Sequence, residues 1–450
     1  MLAQHLMLIY AIRMRPTSIE IVKELKEAGY EAYWAGGCVR DMLLGTEPKD
    51  FDIVTSATPD QIEDTLKLTI PIGKQFGVIL AVQNEHNFEV ATFRSDSGYT
   101  DGRRPDAVTF TNAKQDAKRR DFTINGMFYD PIEDKVLDYI GGQKDLNAKL
   151  IRFIGDPHER ILEDHLRILR AIRFKNELGF QYEPKTYEAL EKHSAIVIDK
   201  VSNERIAHEI NKMLMSQNPV GAFGDMEDLG VLKIILPEIQ RLKGCAQPIE
   251  YHQEGDVWNH SMLALKSIPG TMQLPVRWAV LLHDSGKPDT FALKERIRFD
   301  GHVYKSKEIA KTVLSRLHFP RKTIEEVCWL VEHHMMMVPL VDMPKGRKRR
   351  WFLHPYFLNL MQVFKADAEG TIPSDLSLYD QIFDLYRLTL KEMPKEPKPL
   401  LTGNDVMEYL GIKPGEEVGK IMEYLRENQL EGKLKTKKQA IDWLKKRKSN

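Results

Sequence analysis

Hydrophobic and polar residues follow two different periods in the first third of the chain. Residues 18–28 repeat apolar positions at helical spacing, and residues 30–34 alternate between apolar and polar before Gly36 and Gly37. The apolar or alternating pattern of strands continues in residues 51–54, 78–82, 88–93 and 107–110. The pattern therefore predicts a unit of mixed strands and helices up to about residue 150.

The pattern changes after Pro157. Residues 160–180 place apolar side chains at the spacing of one long amphipathic helix, and helical spacing continues to about Pro237. The remainder is also mostly helical, and a stretch rich in Pro and Lys at residues 394–399 separates a small terminal module. The predicted fold class is α+β, with a head of mixed sheet and helices followed by mostly α-helical regions.

At about 150 residues per domain, a chain of 450 residues is expected to form roughly three domains or more. The predicted boundaries are an N-terminal extension at 1–13 ahead of an alternative start at Met14, a head at 14–150, a helical region at 151–240, a further helical domain at 241–393 and a tail at 394–450. No segment is apolar for long enough to span a bilayer. The apolar opening also lacks the basic region and cleavage site of a signal peptide.

Charge and cysteine content narrow the class of protein. Lys and Arg number 65 and Asp and Glu also number 65, so no global positive field indicates a nucleic-acid partner. Residues 433–448 are strongly basic, which fits a solvated tail and an RNA contact equally well. Cys38, Cys245 and Cys328 have no metal-ligand or disulfide spacing, and this usage predicts a cytoplasmic location.

The most informative segment combines a glycine turn with paired carboxylates. Gly36 and Gly37 let backbone N–H groups approach a triphosphate, and Arg40 in the next helix adds charged contacts to the same anion. Asp50 and Asp52 lie two apart on a predicted strand, so their carboxylates are expected on one face. Paired carboxylates of this kind hold two Mg²⁺ about 4 Å apart in phosphoryl-transfer enzymes. The order of strand, glycine turn, helix and strand with Asp-x-Asp resembles the polymerase-beta-like nucleotidyltransferase superfamily.

Further motifs follow in order: Arg119-Arg120-Asp121 to Met127, Asp138 to Leu146, Gly155-Asp156-Pro157, and Glu163-Asp164 to Arg167. With them, residues 20–209 resemble the class II tRNA nucleotidyltransferase and bacterial poly(A) polymerase family. The resemblance implies that Asp50 and Asp52 are catalytic and bind Mg²⁺. It also implies a nucleotide-binding set, which comprises Gly36, Gly37, Arg40, Arg119, Arg120, Asn125, Asp164, Arg167, Arg170 and Arg173.

Within this resemblance, Asp164 and Arg167 would select the incoming base. A carboxylate accepts from an exocyclic amino group while a guanidinium donates to a ring nitrogen, a pairing that cytosine and adenine both satisfy. A spacing of three predicts that both side chains lie on one face of the helix, with Arg170 and Arg173 as support. Glu89, on the strand at 88–93, is a third metal ligand or a solvent-facing strand residue.

The resemblance implies a particular reaction and partners. Residues 92–105 resemble the full-length flexible loop of the family, which favours addition of complete CCA, or of A alone, to tRNA from CTP and ATP. Residues 72–78 lack the basic segment usual in poly(A) polymerases, which argues against poly(A) synthesis. Enzymes that add only A are not separable from CCA-adding enzymes by these residues, and a CC-adding enzyme is the further alternative.

Three motifs follow downstream, at residues 251–260, at 281–288 with the adjacent pair His283-Asp284, and at 366–368. Together they resemble the HD phosphohydrolase superfamily. The resemblance implies that His260, His283, Asp284 and Asp367 gather into a site for a divalent transition metal, which His302, His333 and His334 extend. A vestigial fold that keeps its histidines for packing is the alternative. A different class of function, a metal-dependent phosphohydrolase with an RNA-binding head, rests on the same residues. Residues 401–443 resemble the tail of the nucleotidyltransferase family, which is expected to hold tRNA through its phosphates.

Overall fold

The computed structural model describes residues 2–98, 107–393 and 397–448, and within them it describes the side chains of residues 14–96, 98, 107–393 and 397–447. The chain divides into two units. The first comprises Met1–Gln240, Pro269–Met272 and Arg316–His318, and the second comprises Arg241–Ile268, Gln273–Ser315 and Phe319–Asn450. None of the described helices is both long enough and apolar enough to cross a lipid bilayer. The part of the predicted flexible loop at residues 99–105 lies outside the described residues.

The first unit is built on a sheet. Its strands are β1 Ala32–Ala35, β2 Asp52–Thr55, β3 Thr69–Gly73, β4 Val78–Gln83, β5 His86–Thr92, β6 Arg94–Ser97, β7 Ala107–Phe110, β8 Phe128–Asp130, β9 Lys135–Leu137, β10 Leu150–Ile151 and β11 Gln181–Tyr182. Among the described residues, seven strands form one sheet in the order β3-β4-β5-β2-β1-β8-β9. Only the β2–β5 pair in it is parallel. A separate antiparallel hairpin joins β6 to β7, and β10 pairs with β11.

Hydrophobic alternation explains strand β5. In β5, Phe88 and Val90 are buried while Asn87 and Glu89 are exposed, the period of two expected of a strand with one face on a core. The sequence predicted β1, β2, β4, β5 and β7 to within two residues at each end. It did not predict β3, β6, β8 or β9, which are three to five residues long and carry little pattern of their own.

The helices of the first unit surround and follow the sheet. They are α1 Leu2–Glu27, α2 Gly37–Leu43, α3 Pro59–Thr65, α4 Ala113–Arg119, α5 Gly142–Asn147, α6 Pro157–Glu163, α7 Arg167–Leu178, α8 Pro184–His193, α9 Asn203–Met215, α10 Pro219–Asp228, α11 Leu232–Ile235 and α12 Pro237–Gln240. Helix α4 buries Ala113 and Ala117 in a cluster with Phe93 and Phe128 from the sheet side. This packing fixes the end of α4, where Arg119 lies.

Two details of the predicted elements were wrong. Residues 160–180 form two helices rather than one, because the chain is extended at Asp164 (φ −147°, ψ 104°). The Asp164 carboxylate accepts the N–H of Leu166 at 3.1 Å, and such local bonding competes with the helical pattern. Asp50 precedes β2, which begins only at Asp52.

The second unit is mostly helical. It contains α13 Val257–Ser267, α14 Leu274–Leu282, α15 Lys287–Thr290, α16 His302–Arg316, α17 Arg321–His333, α18 Met337–Leu340, α19 Lys345–Phe352, α20 Phe357–Gly370, α21 Ser377–Glu392, α22 Gly403–Leu410, α23 Glu416–Glu431 and α24 Lys437–Lys448, with a two-residue strand pair, β12 Ala292–Leu293 and β13 Ile297–Arg298. Gly370 permits a close approach of α20 to α13. A Cβ at Gly370 would lie 2.8 Å from the Ala264 nitrogen and 2.9 Å from the His260 carbonyl oxygen.

Candidate active site and candidate metal centre

A glycine turn opens the site of the first unit. Strand β1 ends at Ala35, and Gly36 then takes the left-handed region at φ 75° before α2 begins. A Cβ at Gly36 would lie 3.4 Å from Nη1 of Arg120 and 3.7 Å from Oδ2 of Asp52. Because only glycine adopts this backbone freely, the turn brings the main chain close to both charged groups.

Asp50 and Asp52 lie at the start of β2, and a third carboxylate, Glu89, lies on the neighbouring strand β5. The parallel register pairs Ile53 with Val90, which places Asp52 next to Glu89 on the neighbouring strand. Asp52 is exposed to the solvent of a cleft, but the surrounding protein atoms remove part of the water that would hydrate its carboxylate. This desolvation, together with the charges of Asp50 and Glu89, raises the pKa of Asp52 to about 6 despite the opposing charge of Arg120. The negative charges of Asp50 and Glu89 act on Asp52 strongly enough to shift its pKa, and such a set of charges favours a bound cation.

Three arginines face the same cleft, and each has a protein partner. Nη1 of Arg40 donates to Oδ1 of Asn125 at 2.8 Å, and Asp41 accepts from the same guanidinium at 2.6 and 2.8 Å. Arg119 and Arg120 share Asp116, which accepts from Nε of Arg119 at 2.8 Å and from Nε of Arg120 at 3.1 Å. Guanidiniums ordered in this way can receive phosphate oxygens with little further loss of side-chain freedom.

Sequence reasoning missed Asp116, although its spacing three and four residues before the two arginines was a usable signal. The carboxylate is fully buried. Burial acts to raise its pKa, but Arg120 and Arg119 outweigh burial and hold the pKa below its usual range.

The predicted base-reading pair lies between α6 and α7. Asp164 accepts from Nη1 and Nη2 of Arg205 at 3.2 and 2.7 Å, and Nη1 of Arg167 donates to Glu163 at 2.6 Å. The expectation that Asp164 and Arg167 share one face of one helix was therefore wrong, since only Arg167 is helical. Both side chains nevertheless line the same cleft.

Arg170 and Arg173 follow Arg167 on α7. Nε of Arg170 donates to Asp121 at 2.7 Å, while Nε of Arg173 donates to Glu209 at 2.6 Å. The guanidinium carbons of both also lie over the Phe174 ring, at 5.3 and 4.0 Å from its centroid. Arg173 is buried, so neighbouring protein atoms cover most of its side chain.

One cleft of about 660 Å³ collects the predicted residues. Its lining includes the whole predicted set, namely Gly36, Gly37, Arg40, Asp50, Asp52, Arg119, Arg120, Asn125, Asp164, Arg167, Arg170 and Arg173. Residues that sequence reasoning did not assign to the site also line it, namely Asp41, Lys49, Arg94, Asp96, Asp121, Phe174, Glu177, Lys212, Met215 and Ser216. The cleft therefore combines many cationic side chains with almost as many carboxylates, those of Asp50 and Asp52 among them.

A second cluster of titratable side chains lies in the second unit. Nε2 of His260 lies 2.9 Å from Oδ1 of Asp367 and 3.2 Å from Nε2 of His283, and Nε2 of His283 lies 3.2 Å from Oδ2 of Asp284. His302 and His334 join them, with Nε2 atoms 3.5 and 3.9 Å from Oδ1 of Asp284. Among the described residues, three groups of three potential ligand atoms result: His260–His283–Asp367, Asp284–His302–His334 and His252–Glu254–His260.

The histidines of this cluster are held in one orientation. Nδ1 of His283 lies 2.7 Å from the Val280 carbonyl oxygen, and Nδ1 of His260 lies 3.1 Å from Oε1 of Glu254. Similar Nδ1 contacts to carbonyl oxygens join His302 to Phe299 and His334 to Val331. Hydrogen bonding at Nδ1 leaves Nε2 directed into the cluster, which is the arrangement of metal-ligating histidines.

Electrostatics of the cluster also favour a cation. Burial acts to lower the pKa of His283, but the carboxylates of Asp284 and Asp367 outweigh burial and raise the pKa to about 10. Burial and the nearby His283 lower the pKa of His334 to about 4. A divalent cation would replace the proton of His283 as the positive charge that balances the carboxylates of Asp284 and Asp367.

The prediction that His333 extends the cluster was wrong. Its ring packs against Trp329 at 4.7 Å and Trp351 at 5.2 Å between centroids. Consecutive residues of a helix point about 100° apart, so His334 faces the cluster and His333 does not.

Comparison with known proteins places the chain in a family. Family models match residues 32–152 (Poly A polymerase head domain), residues 179–242 (probable RNA and SrmB-binding site of polymerase A) and residues 302–444 (tRNA nucleotidyltransferase domain 2, putative). The CCA-adding enzyme of Bacillus subtilis strain 168 is 30% identical over 431 residues, which cover 95% of this chain and 97% of that protein. The chain belongs to the CCA-adding enzyme family. Within the family, the enzyme of Staphylococcus aureus strain MRSA252 is 42% identical over 210 residues, 46% of this chain and 52% of that protein.

Solved structures of CCA-adding enzymes share the fold. The enzyme of Bacillus stearothermophilus in complex with CTP matches with a TM-score of 0.69 and 24% identity, over 95% of this chain and 96% of that one. The Thermotoga maritima enzyme complexed with tRNA matches with a TM-score of 0.55 and 21% identity, over 96% and 95%. The match confirms the α+β fold class that the sequence predicted.

Proposed function

We propose that this chain is a tRNA nucleotidyltransferase that adds C and A, from CTP and ATP, to the 3′ end of tRNA. The observation that carries the proposal is the convergence, in one cleft, of Asp50 and Asp52 with the arginines and with Asp164 and Arg167. Members of the family support the substrates, since CCA-adding enzymes have been solved in complexes with CTP, ATP and tRNA.

Asp50 and Asp52 are proposed to hold two Mg²⁺. Their hard oxygen atoms suit this ion, and the like charges that raise the pKa of Asp52 would be relieved by it. Mg²⁺ held by these carboxylates would supply Lewis-acid chemistry to the attacking 3′-hydroxyl and to the leaving pyrophosphate. Glu89, next to Asp52 across the parallel register, is the candidate third carboxylate.

The remaining residues bind and orient the nucleotide. Main-chain N–H groups of Gly36 and Gly37 and the guanidinium of Arg40 are proposed to receive phosphate oxygens, with Asn125 holding Arg40 in place. Arg119 and Arg120 are assigned to the ribose and phosphates. Their charges stabilise the negative charge that builds up on the phosphates as the bond to pyrophosphate breaks.

The base is proposed to be selected by protein groups in place of a template strand. The Asp164 carboxylate accepts from the exocyclic amino group of cytosine or adenine, and Arg167 donates to the adjacent ring nitrogen. Uracil and guanine present the opposite donors and acceptors at these atoms. Arg170 and Arg173 support the pair from the next turns of α7, through the partners described above.

The division of the chain is proposed to follow the predicted boundaries, with a head at 14–150, a neck at 151–240, an HD domain at 241–393 and a tRNA-binding tail at 394–450. The tail has its own hydrophobic cluster, which includes Val406, Ile421 and Leu444. Helix α24 carries lysines that are proposed to contact phosphates without base readout. A cytoplasmic location stays a prediction from cysteine usage.

One experiment tests the proposed activity and separates its alternatives. Transcripts that end before CCA, after the first C and after the second C are incubated with each nucleoside triphosphate separately. Addition of C to the first two and of A to the third is expected. Addition of A alone would identify an A-adding enzyme, C alone a CC-adding enzyme, and repeated A on unrelated RNA a poly(A) polymerase.

A second candidate function, a metal-dependent phosphohydrolase, is favoured by the buried histidine and aspartate cluster of the second unit. His260, His283, Asp284 and Asp367 are proposed to bind a divalent transition metal, to which His302 and His334 add ligands. Metal analysis of the purified protein and hydrolysis of phosphomonoesters and cyclic phosphodiesters test this activity.

A further inference from the structure

Asp116 is a buried anion at the centre of the arginine pair. Its carboxylate is fully buried on α4, one turn before the end of the helix, and accepts from Nε and Nη2 of Arg119 at 2.8 and 2.7 Å. It also accepts from Nε of Arg120 at 3.1 Å, although Arg120 already has extended backbone (φ −66°, ψ 165°). Two neighbouring guanidiniums repel each other, so their approach to one cleft requires a shared counter-charge.

The same carboxylate is bonded to the first strand of the β6–β7 hairpin. The N–H of Arg94 donates to Oδ1 of Asp116 at 3.1 Å, and Nε of Arg119 donates back to the Arg94 carbonyl oxygen at 3.1 Å. Nη1 of Arg119 also lies 3.6 Å from Oδ2 of Asp96, which follows Arg94 by two residues on β6. The position of the hairpin and the direction of Arg119 are therefore determined by one set of hydrogen bonds.

We propose that Asp116 is a positioning residue for nucleotide transfer: it directs Arg119 and Arg120 into the cleft and makes their position depend on strand β6. The inference rests on the proposed function of the cleft. Asp116 does not line the cleft, so it acts on the nucleotide only through the arginines. A loss of its charge removes the counter-charge that both guanidiniums share, although Arg119 keeps its bond to the Arg94 carbonyl oxygen, and it raises the entropy cost of binding phosphate.

The test compares full-length wild type with Asp116→Asn, which keeps the size of the side chain and removes its charge. Equilibrium binding of CTP and of ATP with Mg²⁺ is measured, together with kcat and KM for each nucleotide on transcripts that lack CCA or its final A. Asp116→Asn should weaken binding of both triphosphates roughly 10- to 100-fold, the usual effect of losing a charged hydrogen bond. The KM for RNA should not change.

Asp130→Asn is the matched control. Asp130 is also buried in the first unit and paired with a cation, Lys26, and it does not line the cleft. Both variants should lower the temperature of thermal unfolding, but only Asp116→Asn should weaken triphosphate binding. Equal triphosphate affinity in the two variants would reduce Asp116 to a structural residue and overturn the proposal.

A double-mutant cycle tests whether Asp116 acts through the arginines. In an Arg119→Ala, Arg120→Ala background, Asp116→Asn should cause no further loss of triphosphate binding. Losses that multiply would contradict the proposal. Should Asp116→Asn not fold, Asp116→Glu, which keeps the charge but moves it by one methylene, is expected to show the same weakened binding. Wild type that binds triphosphates without extending any RNA would overturn the proposed function and not this inference.

Discussion

Arg205 donates two hydrogen bonds to the carboxylate of Asp164, at 3.2 and 2.7 Å from its two oxygens. The two residues are 41 positions apart, on α9 and in the break between α6 and α7. Arg167 is held separately, by Glu163 and by the carbonyl oxygen of Arg160, both at 2.6 Å. Each of the two groups proposed to read the base is thus oriented by a partner outside the pair, and a rigid orientation is what selection by hydrogen bonds requires.

The first prediction concerns that selection. Arg167→Ala should lower the preference for CTP over UTP on a transcript lacking CCA by roughly 1 to 3 kcal/mol, because the base loses its donor. The ratio of CTP to UTP incorporation is the measurement. Arg152→Ala is the matched control, since Arg152 also belongs to an ion pair in the first unit but does not line the cleft. A lower rate with an unchanged ratio in Arg167→Ala would make Arg167 a structural residue of α7.

The second prediction concerns the carboxylates at the start of β2. Asp50→Ala and Asp52→Ala should each abolish incorporation of both C and A and leave RNA binding nearly intact, because the metal ions act in the chemical step. Single-turnover incorporation and a filter-binding assay measure the two effects. Asp60→Ala, at an exposed position of the same unit, should behave as wild type. Turnover near wild type in either variant would contradict the two-metal assignment.

The third prediction concerns the cluster of the second unit. His283→Ala and Asp284→Ala should remove bound transition metal and any phosphohydrolase activity without slowing nucleotide addition, because the cluster and the cleft belong to different units. Metal content and the two activities are measured on the same preparations. His333→Ala is the control, since this neighbouring histidine packs on Trp329 and Trp351 instead. Parallel loss of both activities would contradict independent sites.

The fourth prediction concerns acid stability. Burial acts to raise the pKa of Asp121, but Arg170 outweighs burial and lowers it to about 2, against about 3.9 in an unfolded chain. A folded-state pKa below the unfolded value stabilises the protein above pH ~4, and this contribution disappears as the pH falls towards about 2. Asp121→Asn should therefore reduce the free energy of unfolding by roughly 2 to 3 kcal/mol at neutral pH.

The check is the difference in the free energy of unfolding, measured with denaturant, between wild type and Asp121→Asn as a function of pH. The difference should be constant from pH ~8 to ~5 and should narrow below pH ~4. A difference that narrows instead as the pH rises would contradict an ionised, stabilising Asp121.

The sequence by itself determined the elements and residue types that depend on near neighbours. Alternation at residues 88–93 predicted β5, and the glycine turn with Asp50 and Asp52 predicted a phosphate- and metal-binding cleft, because both signals lie within a few residues. The four histidine and aspartate positions of the second unit were likewise predicted together, and the structure brings them into one cluster.

Only the tertiary structure decided which partner each of these groups has. The break at Asp164 depends on competition between local side-chain bonds and the helix, which a regular apolar spacing does not reveal. Arg205 reaches Asp164 across 41 residues, and Asp116 meets β6 from α4. His334, which follows the last residue of α17, enters the cluster, whereas His333 at the end of α17 packs on Trp329. The spacing of residues along the chain indicates which chemical groups form a site, whereas contacts between residues far apart in the sequence fix the orientation of those groups.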